Sequence, residues 1–95
     1  MTKEQILKLL KEIRGEQHIP SIEEEDVIKG YIKDAQYDIN ECCGEKINYE
    51  IDLKAKSLLK NFVLYARYGR LAEFKQLYAG EYAYLQAKYY KPSDV

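Results

Sequence analysis

Tryptophan is absent from this 95-residue chain, histidine occurs once, and proline and cysteine occur twice each. Each scarcity closes off a class of function. A Ser–His or Cys–His dyad would have to use His18, which sits in a loop beside Pro20 with no acidic residue in fixed register to orient it. It reads as a surface loop histidine. The cysteines, Cys42 and Cys43, are chain neighbours, and a bridge between them would be badly strained. They read as two buried or half-buried thiols in a reducing compartment. Neither CxxC, HExxH nor a glycine-rich phosphate loop occurs. No apolar run approaches a membrane span, and no charged start leads into an apolar signal core, so neither a membrane segment nor export is expected. An excess of one charge is missing too. Fifteen basic and 16 acidic residues leave a net charge of −1, whereas nonspecific nucleic-acid binding needs a clustered positive field. No catalytic, cofactor-binding or metal-ligating set is expected, and the chain does not read as an enzyme.

What is present is an ordinary globular composition, 46% hydrophobic and 33% charged, enough for one domain over residues 1–95 with one modest core. The anomaly is tyrosine. There are ten, against two phenylalanines, and six lie between Tyr65 and Tyr89 with Tyr90 following directly. A large apolar body with a polar tip suits surfaces buried on assembly and suits small cores equally well.

The apolar period is helical almost throughout, which predicts an all-α fold of four helices near 3–14, 22–43, 52–68 and 71–90. Thr2 and Gln5 form a capping box, Ile6, Leu9, Leu10 and Ile13 a stripe, and Gly15 a stop. Ser21 and Glu24 form a second capping box. The acidic run Glu23–Asp26 lacks the histidine or second acidic cluster a metal site would need, and it suits the first turn of a helix. The second stripe runs Ile28, Tyr31, Ile32, Ala35, Ile39 and Cys42 to Gly44, with Gly30 marking a close helix contact or a kink. EKINYE is a connector, briefly extended at most.

In the third helix Ile51, Ala55, Leu58, Leu59, Phe62, Val63 and Ala66 share one face, between the cap residues Asp52 and Gly69. Leu53, Leu64 and Tyr68 line the opposite side, and such a second apolar stripe marks a helix that is central or shared with a partner. Lys56, Lys60 and Arg67 flank it, as a solvated face or a contact for an acidic partner. The fourth helix sets Leu71, Phe74, Leu77, Tyr78, Tyr82, Leu85 and Tyr89 toward the core. Ala72, Gln76, Ala79, Ala83, Ala87 and Tyr90 lie behind, a small and nearly uncharged face able to accept another helix, in residues that are also simply good helix formers. Pro92 ends it, and residues 91–95 form a flexible tail. The last two helices are expected to pack antiparallel as the long pair. The core should hold Leu10, Ile28, Ile32, Ala35, Ile39, Leu58, Leu59, Phe62, Ala66, Phe74, Tyr78 and Leu85. The leftover apolar residues Leu53, Leu64, Tyr68, Ala79, Ala83 and Tyr90 are the candidate protein interface.

The stretches DVIKGYIKDAQYDINECCG, LLKNFVLYARYGRLAEF and FKQLYAGEYAYLQAKY, read in order over roughly residues 25 to 90, resemble the head–tail connector (head completion or adaptor) proteins of long-tailed bacteriophages and prophages. That family's second helix carries YI-x-x-A-x-x-x-I before a small residue, matched by Tyr31, Ile32, Ala35, Ile39 and Gly44. Its third carries a paired leucine followed by spaced aromatics, matched by Leu58, Leu59, Phe62, Tyr65 and Tyr68. Its last is matched by Phe74, Tyr78, Glu81 or Tyr82, Leu85 and Gln86. The resemblance implies a virion component made in the bacterial cytoplasm. It implies a homo-oligomeric ring under the portal protein that meets a tail-side connector or stopper and passes DNA without sequence-specific binding. It carries no catalytic residues. Two alternatives are a small helical DNA-binding or regulatory module, for which Lys54, Lys56, Lys60 and Arg67 are the candidate set, and a helical adaptor with a peptide groove.

Overall fold

A computed structural model describes residues 1–20 and 24–92. The chain is all-α. Among the described residues there is no strand, and the helices are α1 (Lys3–Glu16), α2 (Glu25–Cys43), α3 (Leu53–Arg67), α4 (Leu71–Leu77) and α5 (Ala79–Lys88). The predicted fourth helix is thus one helix bent at Tyr78. Backbone bonding continues across the bend, from Tyr78 N–H to Phe74 O at 2.9 Å and from Tyr82 N–H to Tyr78 O at 3.1 Å. The φ of −105° at Tyr78 opens the turn without breaking the chain of bonds.

The helix ends follow local chemistry. The Thr2 capping box forms in both directions. Gly15 does not stop α1. The helix runs on to Glu16, and His18 takes the left-handed position at φ 53°, a conformation histidine tolerates better than most side chains. The Ser21–Glu24 capping box lies outside the described residues, and Glu24 caps α2 without a side-chain bond. Gly44 (φ 67°) closes α2, and Gly69 (φ 67°) closes α3. At the second of these, Gly69 N–H donates to Ala66 O and Arg70 N–H to Tyr65 O, the paired bonds of a Schellman motif. A Cβ at Gly30 would meet nothing within 4 Å, so the close helix contact expected there is absent.

The core sits where α2 and α3 meet, the most extensive helix contact in the molecule. Ile28, Ile32, Ala35 and Ile39 bury against Ala55, Leu58, Leu59, Phe62 and Val63. α1 covers one flank through Leu9, Leu10 and Ile13, and the α4–α5 arm covers the other through Phe74 and Leu85. The arm runs antiparallel to α3, because Phe74 meets Phe62 and Tyr65 near the end of α3 while Lys88 and Tyr89 meet Asp52 at its start. Every expected core residue is buried except Tyr78, which stays half-buried because the bend places its ring over Phe74 at the rim. Two further expectations fail for local reasons. Ile51 is exposed because the helix begins only after Asp52, leaving Ile51 in a turn built on Asn48. Leu77 is exposed at the end of α4, just before the bend. The connector contributes more than expected, burying Ile47 and Tyr49 on the Asn40 side chain.

Candidate assembly surface

Tyrosine serves two ends in this fold. Inside, the polar tips of three rings find partners far along the chain. Tyr49 donates to Asn40 Oδ1 at 2.8 Å, Tyr82 to Asp38 Oδ2 at 2.6 Å and Tyr89 to Asp52 Oδ2 at 2.6 Å. Phe62, Tyr65, Tyr78 and Tyr82 surround Phe74 at centroid distances of 4.8–6.0 Å. Outside, Tyr37, Tyr68, Tyr84 and Tyr90 are exposed.

Two carboxylates fasten the arm. Asp38 of α2 accepts from Tyr82 and from Lys75. Asp52 is the N-cap of α3, taking Ala55 N–H on Oδ1 at 3.0 Å, while Oδ2 accepts Lys88 Nζ at 2.9 Å and the Tyr89 hydroxyl. Burial alone would raise the Asp52 pKa, but the bonds from Tyr89, Ala55 and Lys88 outweigh it and hold the carboxyl below its ordinary 3.8. Tyr89 is pushed up to about 12, first by that hydrogen bond and then by burial. Burial, aided by the neighbouring Cys42, pushes the Cys43 thiol up to about 11, so it is held as a buried neutral group.

The candidate residues fall on two surfaces. Leu53 and Tyr68 (each 67% exposed) and the half-buried Leu64 lie along the outer face of α3. Ala79 and Ala83 are exposed on α5, and Tyr90 (71% exposed) follows its end. The Asp52 clamp brings the neighbours of Leu53 and Tyr90 to the same end of the molecule. Elsewhere a groove of about 370 Å³ between α3 and α5, edged by Lys54, Asn61, Glu81 and Tyr84, separates the two surfaces. Lys54 Nζ lies 4.0 Å from the Tyr84 ring centroid across it. The six residues therefore form two strips on either side of this groove.

Sequence reasoning missed the exposure of Tyr84, which lines the groove, of Leu77 (59% exposed), and of Tyr37 (70% exposed) and Val27 on α2. The signal was present, since Leu77 and Tyr84 are a heptad apart at the edge of the arm's core face and Tyr37 falls off the Ile28–Ile39 stripe.

The basic flank of α3 is largely neutralised. Lys56 pairs with Glu12 at 3.0 Å, Lys60 with Glu16 at 2.6 Å, and Arg67 donates to Gln17. His18 is exposed, and among the described residues no three His, Cys, Asp or Glu side chains gather as metal ligands. None of the described helices is long and apolar enough to cross a membrane. Comparison with protein-family models, with curated proteins and with solved structures finds no match for the chain.

Proposed function

We propose that this chain is a structural subunit of a tailed-phage or prophage head–tail connector. In this reading copies assemble into a ring beneath the portal protein, extend the DNA channel, and present the far side to a tail-side connector or stopper. One observation carries the reading. The core is already complete, with Phe74, Leu59, Ile32 and Leu85 fully enclosed, yet Leu53, Tyr68, Leu77, Tyr84 and Tyr90 remain exposed on α3 and the arm. Five of the nine exposed large apolar side chains among the described residues lie on or beside α3 and the arm, and exposed apolar and aromatic side chains are what an assembly contact uses. Burying an exposed Leu or Tyr stabilises by roughly 1.5–3 kcal/mol, so a few anchors suffice for a specific contact.

The chemistry of the rest suits a conduit wall. Ion pairs between α1 and α3 leave little free positive charge to trap a phosphate backbone. The same pairs leave the DNA-reading alternative poorly supported, because two of its four candidate cations are engaged internally. Helices locked by carboxylate clamps make a rigid body 53 × 29 × 18 Å in extent, fit to serve as a stave.

The test is addition of the purified chain to portal-bearing heads of the genome that encodes it, scored by electron microscopy. Wild type should add. Leu64→Glu and Ala83→Glu should each melt nearly as wild type does and fail to add, because an unpaired carboxylate buried at an interface is costly. Normal addition by both folded variants would move the interface elsewhere, and wild type that ignores the heads would overturn the reading.

A further inference from the structure

Between α4 and α5 the helix is interrupted at a single residue, and its two halves are held very differently. The turn is open at Tyr78 (φ −105°, ψ 16°). Among the described residues, two bonds that an unbroken helix would make there are missing, from Ala79 N–H to Lys75 O and from Glu81 N–H to Leu77 O. α4 is anchored by Phe74 inside its cluster of rings. α5 is held more lightly. Of its ten residues only Leu85 is buried, and the groove of about 370 Å³ lined by Leu58, Tyr78 and Leu85 runs beside it. Its other fastenings are polar, with Tyr82 on Asp38, and Lys88 and the following Tyr89 on Asp52. Gly80 stands in the first turn of α5, where a Cβ would meet nothing within 4 Å and φ is not positive. A residue that weakens a helix is thus placed at the hinge without a packing need.

We propose that α5 leaves its own copy and seats in the same place on a second copy, so that subunits exchange arms. The inference rests on the assembly reading above and names what passes between copies. Straightening at Tyr78 joins α4 and α5 into one helix from Leu71 to Lys88, about 27 Å long. It also completes the two missing backbone bonds. The vacated site on each copy is then filled by an identical α5, which remakes the contacts seen here, Leu85 in the core, Tyr82 on Asp38, and Tyr89 with Lys88 on Asp52. The closed and exchanged forms therefore share their tertiary contacts. They differ at the hinge, where the straight form gains backbone bonds, and in the entropy lost on association. A one-residue hinge under such a conflict invites exchange. Mutual exchange closes a pair, and one-way donation from copy to copy is a heterologous contact that closes a ring.

The test works on the hinge. Wild type is held at about 1 mM in sub-denaturing urea, returned to buffer, diluted and followed by sedimentation velocity. Oligomers should form and should persist on dilution, because each arm must be unseated to separate them. Glu81→Pro blocks the straight form. This exposed residue's N–H has no backbone acceptor in the closed form, and proline is tolerated in a first helical turn but not inside a helix. The variant should melt close to wild type by circular dichroism while its exchanged share falls at least about a hundredfold. Gly80→Ala should raise that share about two- to fivefold, since the position lies in a helix interior only when the arm is straight. In oligomers mixed from isotope-labelled and unlabelled copies, filtered NOEs should join α5 of one copy to α2 and α3 of another. Wild type monomeric throughout, Glu81→Pro that associates like wild type, or mixed oligomers without those NOEs would each overturn the proposal. Should Glu81→Pro melt low, Gly80→Ala decides, and an exchanged share no higher than that of wild type would overturn it. Addition to portal-bearing heads is scored in parallel. Heads that accept Glu81→Pro as readily as wild type would sink arm exchange as the ring contact and leave the connector reading standing. Exchange in solution without any addition of wild type to heads would do the reverse.

Discussion

Removing the Asp52 carboxylate is the most informative single perturbation of this fold, because one side chain performs two separable tasks. Oδ1 caps α3 through Ala55 N–H, and Oδ2 holds the end of α5 through Tyr89 and Lys88. Losing an N-cap costs typically about 1 kcal/mol. A hydrogen bond to a charged acceptor is worth roughly 1.5–3 kcal/mol, and the low end applies here because Tyr89 is only half-buried and can turn to water. The Lys88 contact adds little, since nearly half of that side chain stays in solvent. Asp52→Ala should therefore cost about 2.5–3 kcal/mol, a large part of the roughly 5–14 kcal/mol available to a chain this size. At about 4–8 °C per kcal/mol, Tm should fall by roughly 10–24 °C. Asp52→Asn keeps an acceptor for Ala55 and removes the charge, so about half the loss should remain. Tyr89→Phe should cost about 1 kcal/mol in wild type and much less in the Asn background, a coupling that urea melts can resolve. Because the folded pKa lies below 3.8, the carboxylate's contribution is present above that pH and is lost as the pH falls through the folded value. The acid limb of a stability–pH curve should flatten in Asp52→Asn. An Asp52→Ala penalty no larger than that of a bare cap, with a silent Tyr89→Phe, would show that the clamp carries no energy.

Phe74→Ala should cost about 3–5 kcal/mol by calorimetry, because four other rings pack around this fully buried side chain. Gly30→Ala should raise stability by about 0.5–1 kcal/mol in urea melts, since the position is helical and an added methyl meets open space. On the alkaline side, Cys43 and Tyr89 have folded values of about 11 and about 12 against ordinary values of 9.0 and 10.0. Their contribution is complete below pH 9 and lost as pH rises through 9–12, so helicity should fall together with delayed tyrosinate absorbance at 295 nm. Simple independent titration of all ten tyrosines at their ordinary value would contradict this.

The sequence by itself determined the helical class, the capping of α1 and α3, the glycine stops at Gly44 and Gly69, and nearly the whole core. These depend on contacts within a turn or two, or on a 3.6-residue period, and both are written locally. Tertiary structure decided the rest. Whether a tyrosine goes inside or out depends on an acceptor far along the chain, such as Asp38 for Tyr82 or Asp52 for Tyr89, and no local pattern announces one. The bend at Tyr78 placed Leu77 in solvent and left Tyr78 at a rim, because α4 and α5 follow different neighbours while sharing one apolar stripe. The interface candidates were legible as leftover apolar residues. Their division into two strips was not, since a helix period fixes where residues sit around one axis and says nothing of which neighbour fills the space between two.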